Sequence, residues 1–289
     1  MNGKNYVERT IIKAIKNDIA IYAIHTNLDN VLNGVNAKFA SLLNLQNTSI
    51  LSPKGETLLK LETFVPVADT NKVLDAIHEV GGGKLGNYSE CSFRILGTGT
   101  FKPSTEANPT IGLPNIKEEV EENKIEIIFP EYRKSEVINA LYQAHPYEEV
   151  AHYIVKLENQ NKEIGSGMVG LLDKKMTPDE FLQYLKEKLQ LQQIKYTPVK
   201  KMIKKVALCG GSGSFLLMTA ISQKADAFVS ADFKYHEYFD SEGKIMIADI
   251  GHYESEVATK ELLEAFISEK FPNIASYLSE VDTNPVQYF

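Results

Sequence analysis

Cysteine is scarce in this 289-residue chain: only Cys91 and Cys209 are present. Two such residues make no disulfide framework, so the fold must rest on a hydrophobic core, and a reducing cytoplasm is its natural setting. Long apolar runs are also missing. None approaches the ~20 residues that span a bilayer. Lys13, Lys16 and Asp18 interrupt the first apolar stretch, so no signal-peptide core forms there. Positive charge is not in excess. A formal net charge of −7 leaves no basic footprint for nucleic acid or an anionic membrane. What remains, 43% hydrophobic and 24% charged residues, describes a globular chain long enough for one large domain or two ordinary ones.

The first elements follow from apolar spacing. Val7, Ile11, Ile12 and Ile15 form a helical stripe. Ile19-Ala20-Ile21-Tyr22-Ala23-Ile24 is apolar on both faces and reads as a central, buried, parallel strand. Nothing upstream can flank such a strand, so later strands must do so or part of the domain is missing. Polar residues follow at His25-Thr26-Asn27-Leu28-Asp29-Asn30. They suit a ligand cluster above the sheet, or a turn that caps the next helix. Gly34 to Leu45 reads as a short helix with a loop.

From about Leu61 the texture changes. Thr63-Phe64-Val65-Pro66-Val67 is a strand ending in proline, followed by a helix through Val73, Leu74 and Ile77 that Gly81-Gly82-Gly83 ends. Tyr88 to Ile95 is a further strand. Ile125 to Pro130, the helix of Val137, Ile138, Ala140 and Leu141, and the strand Val150 to Leu157 repeat the series. Pro66 precedes Val73 by the same seven positions as Pro130 precedes Val137. Two strand–helix–strand copies predict a ferredoxin-like α+β module over residues 58–158. It interrupts an α/β core made of residues 1–57 and 159–289. Between the copies, the backbone amides of Gly97-Thr98-Gly99-Thr100-Phe101-Lys102-Pro103 could cradle an anion, although a surface hairpin explains the composition as well. His78 and His152 read as structural, and Pro146 gives His145 a place in a turn.

The second half of the core carries the chemistry. Thr177-Pro178-Asp179-Glu180 has the sequence of a capped helix start. Lys205 to Leu208 is a strand running into Cys209-Gly210-Gly211-Ser212-Gly213-Ser214. That turn suits an anion at a helix N-terminus or close packing of backbone, but it lacks a Walker lysine and dinucleotide spacing. Cys209 is either a small buried residue or an acidified thiol. Ala225 to Asp232 is a strand ending in a carboxylate, with His236 one turn beyond. Ile245 to Ile250 leads into Gly251-His252-Tyr253-Glu254-Ser255-Glu256. On a helix His252 and Glu256 share a face, ~5–6 Å apart at Cβ. Polar groups therefore gather where several strands end, the edge at which open α/β sheets bind ligands.

His25-Thr-Asn-Leu-Asp29, the glycine turn from Cys209, Ala231-Asp-Phe-Lys-Tyr-His236 and Asp249-Ile-Gly-His-Tyr-Glu-Ser-Glu256 together resemble the Nif3-like family, the GTP cyclohydrolase I type 2 homologs. The likeness runs from residue 4 to 289. The resemblance implies an α/β core interrupted by a PII- or CutA-like insert, a homohexamer, and a centre of two divalent ions (Zn, Fe, Mn or Mg) that hydrolyses a small molecule or nucleotide. It places metal ligands at Asp29, His252 and Glu256. His25 and His236 match positions near the centre and are the candidates for catalytic proton transfer. Family members carry a His-His motif upstream of the part matched here, and this sequence has no His-His pair. The expectation is therefore a shortened chain with an incomplete dinuclear site. The alternatives are a non-catalytic metal-binding regulator or scaffold with a sensor insert, and a fragment without a stable fold.

Overall fold

In chain order the computed structural model, which describes residues 1–288, contains ten strands. They are β1 (Gln46–Lys54), β2 (Leu58–Pro66), β3 (Phe93–Phe101), β4 (Glu118–Pro130), β5 (His152–Leu157), β6 (Asn161–Met176), β7 (Lys195–Tyr196), β8 (Ile203–Ser212), β9 (Ala227–Ala231) and β10 (Met246–Asp249). The helices are α1 (Tyr6–Lys16), α2 (Thr26–Asp29), α3 (Val35–Leu42), α4 (Thr70–Glu79), α5 (Lys134–Ala144), α6 (Pro178–Leu189), α7 (Leu217–Ser222), α8 (His252–Glu256) and α9 (Thr259–Lys270).

The strands form two sheets. In the larger, the order is β1-β6-β8-β9-β10-β7, with β8, β9 and β10 parallel and the flanking pairs antiparallel. Strands β9 and β10 are buried at every position. Their alternate residues feed opposite layers. Ala227, Val229, Met246 and Ala248 pack with Phe39, Phe181 and Leu185 of α3 and α6. Phe228 and Ile247 pack with Leu217 and Ala220 of α7. This period of two, apolar on both faces, is what a parallel sheet covered on both sides requires. The Thr177 side chain and Glu180 form the reciprocal cap that starts α6.

In the smaller sheet the order is β3-β4-β2-β5, all antiparallel, with α4 and α5 on one face. Leu61, Val65, Ile125, Ile127 and Phe129 pack there against Val73, Ile77, Val137 and Leu141. Pro66 and Pro130 each end a strand and open a short 3-10 turn that leads into a helix. The opposite face is open and carries Lys60, Glu62, Lys124 and Glu126 as an ion-paired quartet.

Two expectations are corrected. Ile19 to Ile24 is not a strand; it links α1 to α2, with Ile19 and Ile21 each 60% and Tyr22 85% exposed. An apolar run becomes a strand only beside an open ladder, and the positions next to β8–β10 are taken by β6 and β7. Strand β3 starts at Phe93 rather than Tyr88, because Glu90 adopts a left-handed conformation (φ 58°) that turns the chain.

His145 is buried in this smaller unit, its Nε2 2.9 Å from the Phe64 carbonyl and its Nδ1 accepting from the Tyr147 N–H at 3.1 Å. Both contacts are satisfied by a neutral ring, and burial holds the imidazole pKa below its ordinary value. A depressed folded-state pKa gives stability that is complete above the unfolded value, ~6.5, and is lost as pH falls toward the folded value. Thermal melts between about pH 7.5 and about pH 5 should show a steeper loss of stability for the native chain than for His145→Gln. Equal slopes would refute this role for His145.

Candidate functional site

The parallel strands β8, β9 and β10 end at the same sheet edge, and each end contributes to one cluster. After β10 the chain turns at Gly251, where φ is 96°. That left-handed conformation favours glycine, which lets α8 begin directly after the strand. Helix α8 starts with His252 and ends with Glu256, and His252 Nε2 lies 3.4 Å from Glu256 Oε2. After β9, Asp232 takes a left-handed conformation (φ 59°), and its Oδ2 meets His252 Nδ1 at 2.6 Å. A carboxylate at Nδ1 fixes the ring so that Nε2 faces Glu256.

The floor is the glycine turn at the end of β8. At Gly211 (φ 62°) a Cβ would sit 2.4 Å from Glu256 Oε1 and 3.2 Å from His252 Nε2. The turn's glycines thus make room for the His252 and Glu256 side chains. Ser255 accepts from the Gly211 N–H and donates to the His252 carbonyl, each at 2.8 Å. Buried Asn36 accepts from the Gly210 N–H and donates to the Asp29 carbonyl, each at 2.9 Å. That bridge seats the end of α2, with Asp29, beside the strand ends.

Charge coupling joins these residues into one neighbourhood. Burial raises the Asp29 pKa, against the opposing effect of His25 and His252. Burial also raises the Glu256 pKa; His252 and His25 oppose that shift, while the Asp29 carboxylate adds to it. The Asp232 hydrogen bond is the main cause that raises the His252 pKa. Cys209 beneath them is pushed up to about 12 by burial and by the Asp29 and Glu256 carboxylates, so it is a neutral packing residue rather than an acidified thiol. Above the cluster lies a cavity of about 930 Å³, bordered by Lys195, Phe233 and the chain segment 279–288.

Asp29, His252, Glu256 and His25 therefore share one environment. His236 does not join it. It sits exposed on the 3-10 turn Tyr235–Ser241, edge-on to the Tyr235 ring. The Asp232 carboxylate pairs with His252 instead. Among the described residues no three His, Cys, Asp or Glu side chains converge into a metal-binding group. Sequence reasoning missed the orienting role of Asp232 and the bridges of Ser255 and Asn36. A left-handed aspartate just past a buried strand leaves no periodic signal, and neither does a single buried asparagine.

The sequence model of the Duf34/NIF3 (NGG1p interacting factor 3) family matches residues 1–285. The GTP cyclohydrolase 1 type 2 homolog of Halalkalibacterium halodurans is 38% identical over 287 residues, which cover 97% of this chain and 77% of that protein. The Bacillus subtilis protein of the same name is 37% identical with the same coverage. The crystal structure of a Bacillus cereus protein related to NIF3 superposes with a TM-score of 0.84 at 35% identity, covering 99% of this chain and 78% of that one.

Gly211→Ala tests the packing of the floor. A left-handed residue with a Cβ costs roughly 1–2 kcal/mol, and the Cβ must also displace the Glu256 side chain. Urea unfolding should show a loss of about 2 kcal/mol. An unchanged midpoint would mean that α8 does not press on this turn.

Proposed function

The chain belongs to the Duf34/NIF3 family, and we propose that it is a divalent-metal-binding member whose chemistry is hydrolysis at the cluster of Asp29, His252 and Glu256. The arrangement of Asp232, His252 and Glu256 carries this reading. An imidazole whose Nδ1 is held by a carboxylate and whose Nε2 is left for a cation is the common second-sphere pattern of histidine metal ligands. The 3.4 Å between Nε2 and Glu256 Oε2 suits two donors to one ion with bonds of about 2.0–2.2 Å. Burial that raises the pKa of Asp29 and Glu256 marks two carboxylates short of compensating positive charge, which a divalent cation supplies. His252 and Glu256 are therefore the two donors that suit a metal ion, while Asp29 does not converge with them into a complete ligand group among the described residues.

A divalent ion there supplies Lewis acidity toward a carbonyl or phosphoryl group. The chain's own residues do the rest. Asp232 fixes the His252 ring, Ser255 fixes the start of α8, and Asn36 holds the Asp29 backbone. His25 is exposed and its charge acts on Asp29, which makes it, rather than His236, the candidate for moving a proton. We infer an incomplete dinuclear centre at this place. The substrate class is a small molecule or nucleotide, following the name that the relatives carry. A homohexamer in the cytoplasm, with residues 58–158 as a PII- or CutA-like insert, completes the reading. A second reading, a metal-binding regulator with a sensor insert, is favoured by the cavity of the smaller unit described below.

Metal content after loading with zinc or manganese and dialysis tests the site. We expect bound metal in the native chain, lost in His252→Ala and Glu256→Ala but retained in Glu148→Ala. Asp232→Asn should keep the fold and weaken affinity by about 10–100-fold. Native affinity in Asp232→Asn, or metal retained by Glu256→Ala, would remove the ion from this place. Two ions per native chain would overturn the incomplete centre.

A further inference from the structure

The smaller unit contains a second cavity, of about 690 Å³, far in sequence from the cluster just described. Its size falls in the range of small-molecule pockets. Phe64, Ile95, Phe101, Pro103, Pro109 and Ile111 provide apolar walls. The loop between β3 and β4 closes one side and is fastened to the turn after α5. Thr110 donates to the Pro146 carbonyl at 2.6 Å, and the Asn108 N–H donates to Glu148 Oε1 at 2.9 Å.

Glu122 of β4 projects into this cavity although the residue is only 7% exposed. Tyr147 donates to its Oε1 at 2.9 Å, and burial and the Glu122 charge raise the phenol pKa, which keeps it a protonated donor. Its Oε2 lies against the backbone of Gly99, where a Cβ would come within 2.0 Å. No cation among the described residues pairs with this carboxylate. Lys124 is committed to Glu62 at 3.0 Å and to Glu126 at 2.7 Å. His145 is held neutral by burial, and Lys102 stands at the exposed rim. Glu148 and Glu149 add further negative charge to the lining. A buried carboxylate without a cation is costly, and it is aimed at space that a ligand can fill.

We propose that this cavity binds a small organic cation, with its apolar body against the aromatic and proline walls and a protonated amine donating to Glu122. The site is independent of the metal-binding reading. Gly97, the partner of Glu122 across the β3–β4 ladder, opens onto the cavity, and a Cβ there would meet nothing within 4 Å. Leucine at position 97 would therefore occupy ligand space without a clash in the strand.

The experiment uses the full chain and two fluorescent probes with the same apolar body, monodansylcadaverine with its ammonium and dansyl-6-aminohexanoate with its carboxylate. Dansyl emission rises when the ring leaves water. The amine probe should bind saturably, at least about tenfold more tightly than the carboxylate probe, as a charge-assisted hydrogen bond implies. Glu122→Gln should remove most of that preference, and Gly97→Leu should abolish binding of both while the thermal melt stays native. Equal affinity for the two probes in the native chain, no saturable binding of the amine, or native binding in Gly97→Leu would overturn the proposal. The probe comparison on the native chain decides the matter even where a variant folds poorly.

Discussion

The close approach of α8 to the end of β8 is the constraint on which the rest of the core site depends. It is possible only because the strand ends in Gly210-Gly211, and it is locked by one hydroxyl, Ser255, shared between the Gly211 N–H and the His252 carbonyl. With the helix pressed down, His252 reaches Asp232 from the neighbouring strand and Glu256 comes over the turn. The fully buried strands β9 and β10 make this edge rigid. Their side chains lock into core layers on both faces of the sheet, so the strand ends cannot adjust independently.

Much of this was legible in the sequence because it rests on strong local signals. Fully apolar runs marked β8, β9 and β10, and Thr-Pro-Asp-Glu marked the start of α6. The proline–helix repeat marked both halves of the smaller unit. The meeting of His252, after β10, with the glycine turn at the end of β8 followed from parallel strands ending at one edge. The failures have one physical cause. Ile19 to Ile24 satisfies every local rule for a buried strand, but strand formation depends on a neighbour supplied by the rest of the fold. His236 stands one turn from Asp232 in sequence, yet the aspartate bonds across to α8. Pairings across the sheet leave no trace in periodicity.

The two sheets treat charge differently. The covered sheet buries the central strands on both faces and carries ionisable groups at both strand ends, Lys205 and Asp226 at one and Asp232 and Asp249 at the other. The four-stranded sheet covers only one face, so its other face must carry polar groups, and it does so with a compensated quartet of two lysines and two glutamates. Glu122 stands on the same strand as two of these residues but beyond their reach. It is sheltered by the β3–β4 loop and Tyr147 rather than by a lysine. Its isolation is a consequence of where the quartet stops.

The same local device appears at both places. Glu256 Oε1 and Glu122 Oε2 each lie against a glycine, Gly211 and Gly99, where a Cβ would come within 2.4 and 2.0 Å. A glycine beneath a carboxylate lets the anion sink below the surface while one edge stays accessible. Burial of this kind raises the free energy of the ionised form and does nothing for the fold by itself. The two carboxylates differ in their neighbours, one beside an oriented imidazole and one beside a phenol. The neighbours determine which cation suits each place. On the proposed reading, an imidazole nitrogen 3.4 Å from the carboxylate favours an ion that accepts nitrogen and oxygen donors together. Aromatic and proline walls select a cation with an apolar body.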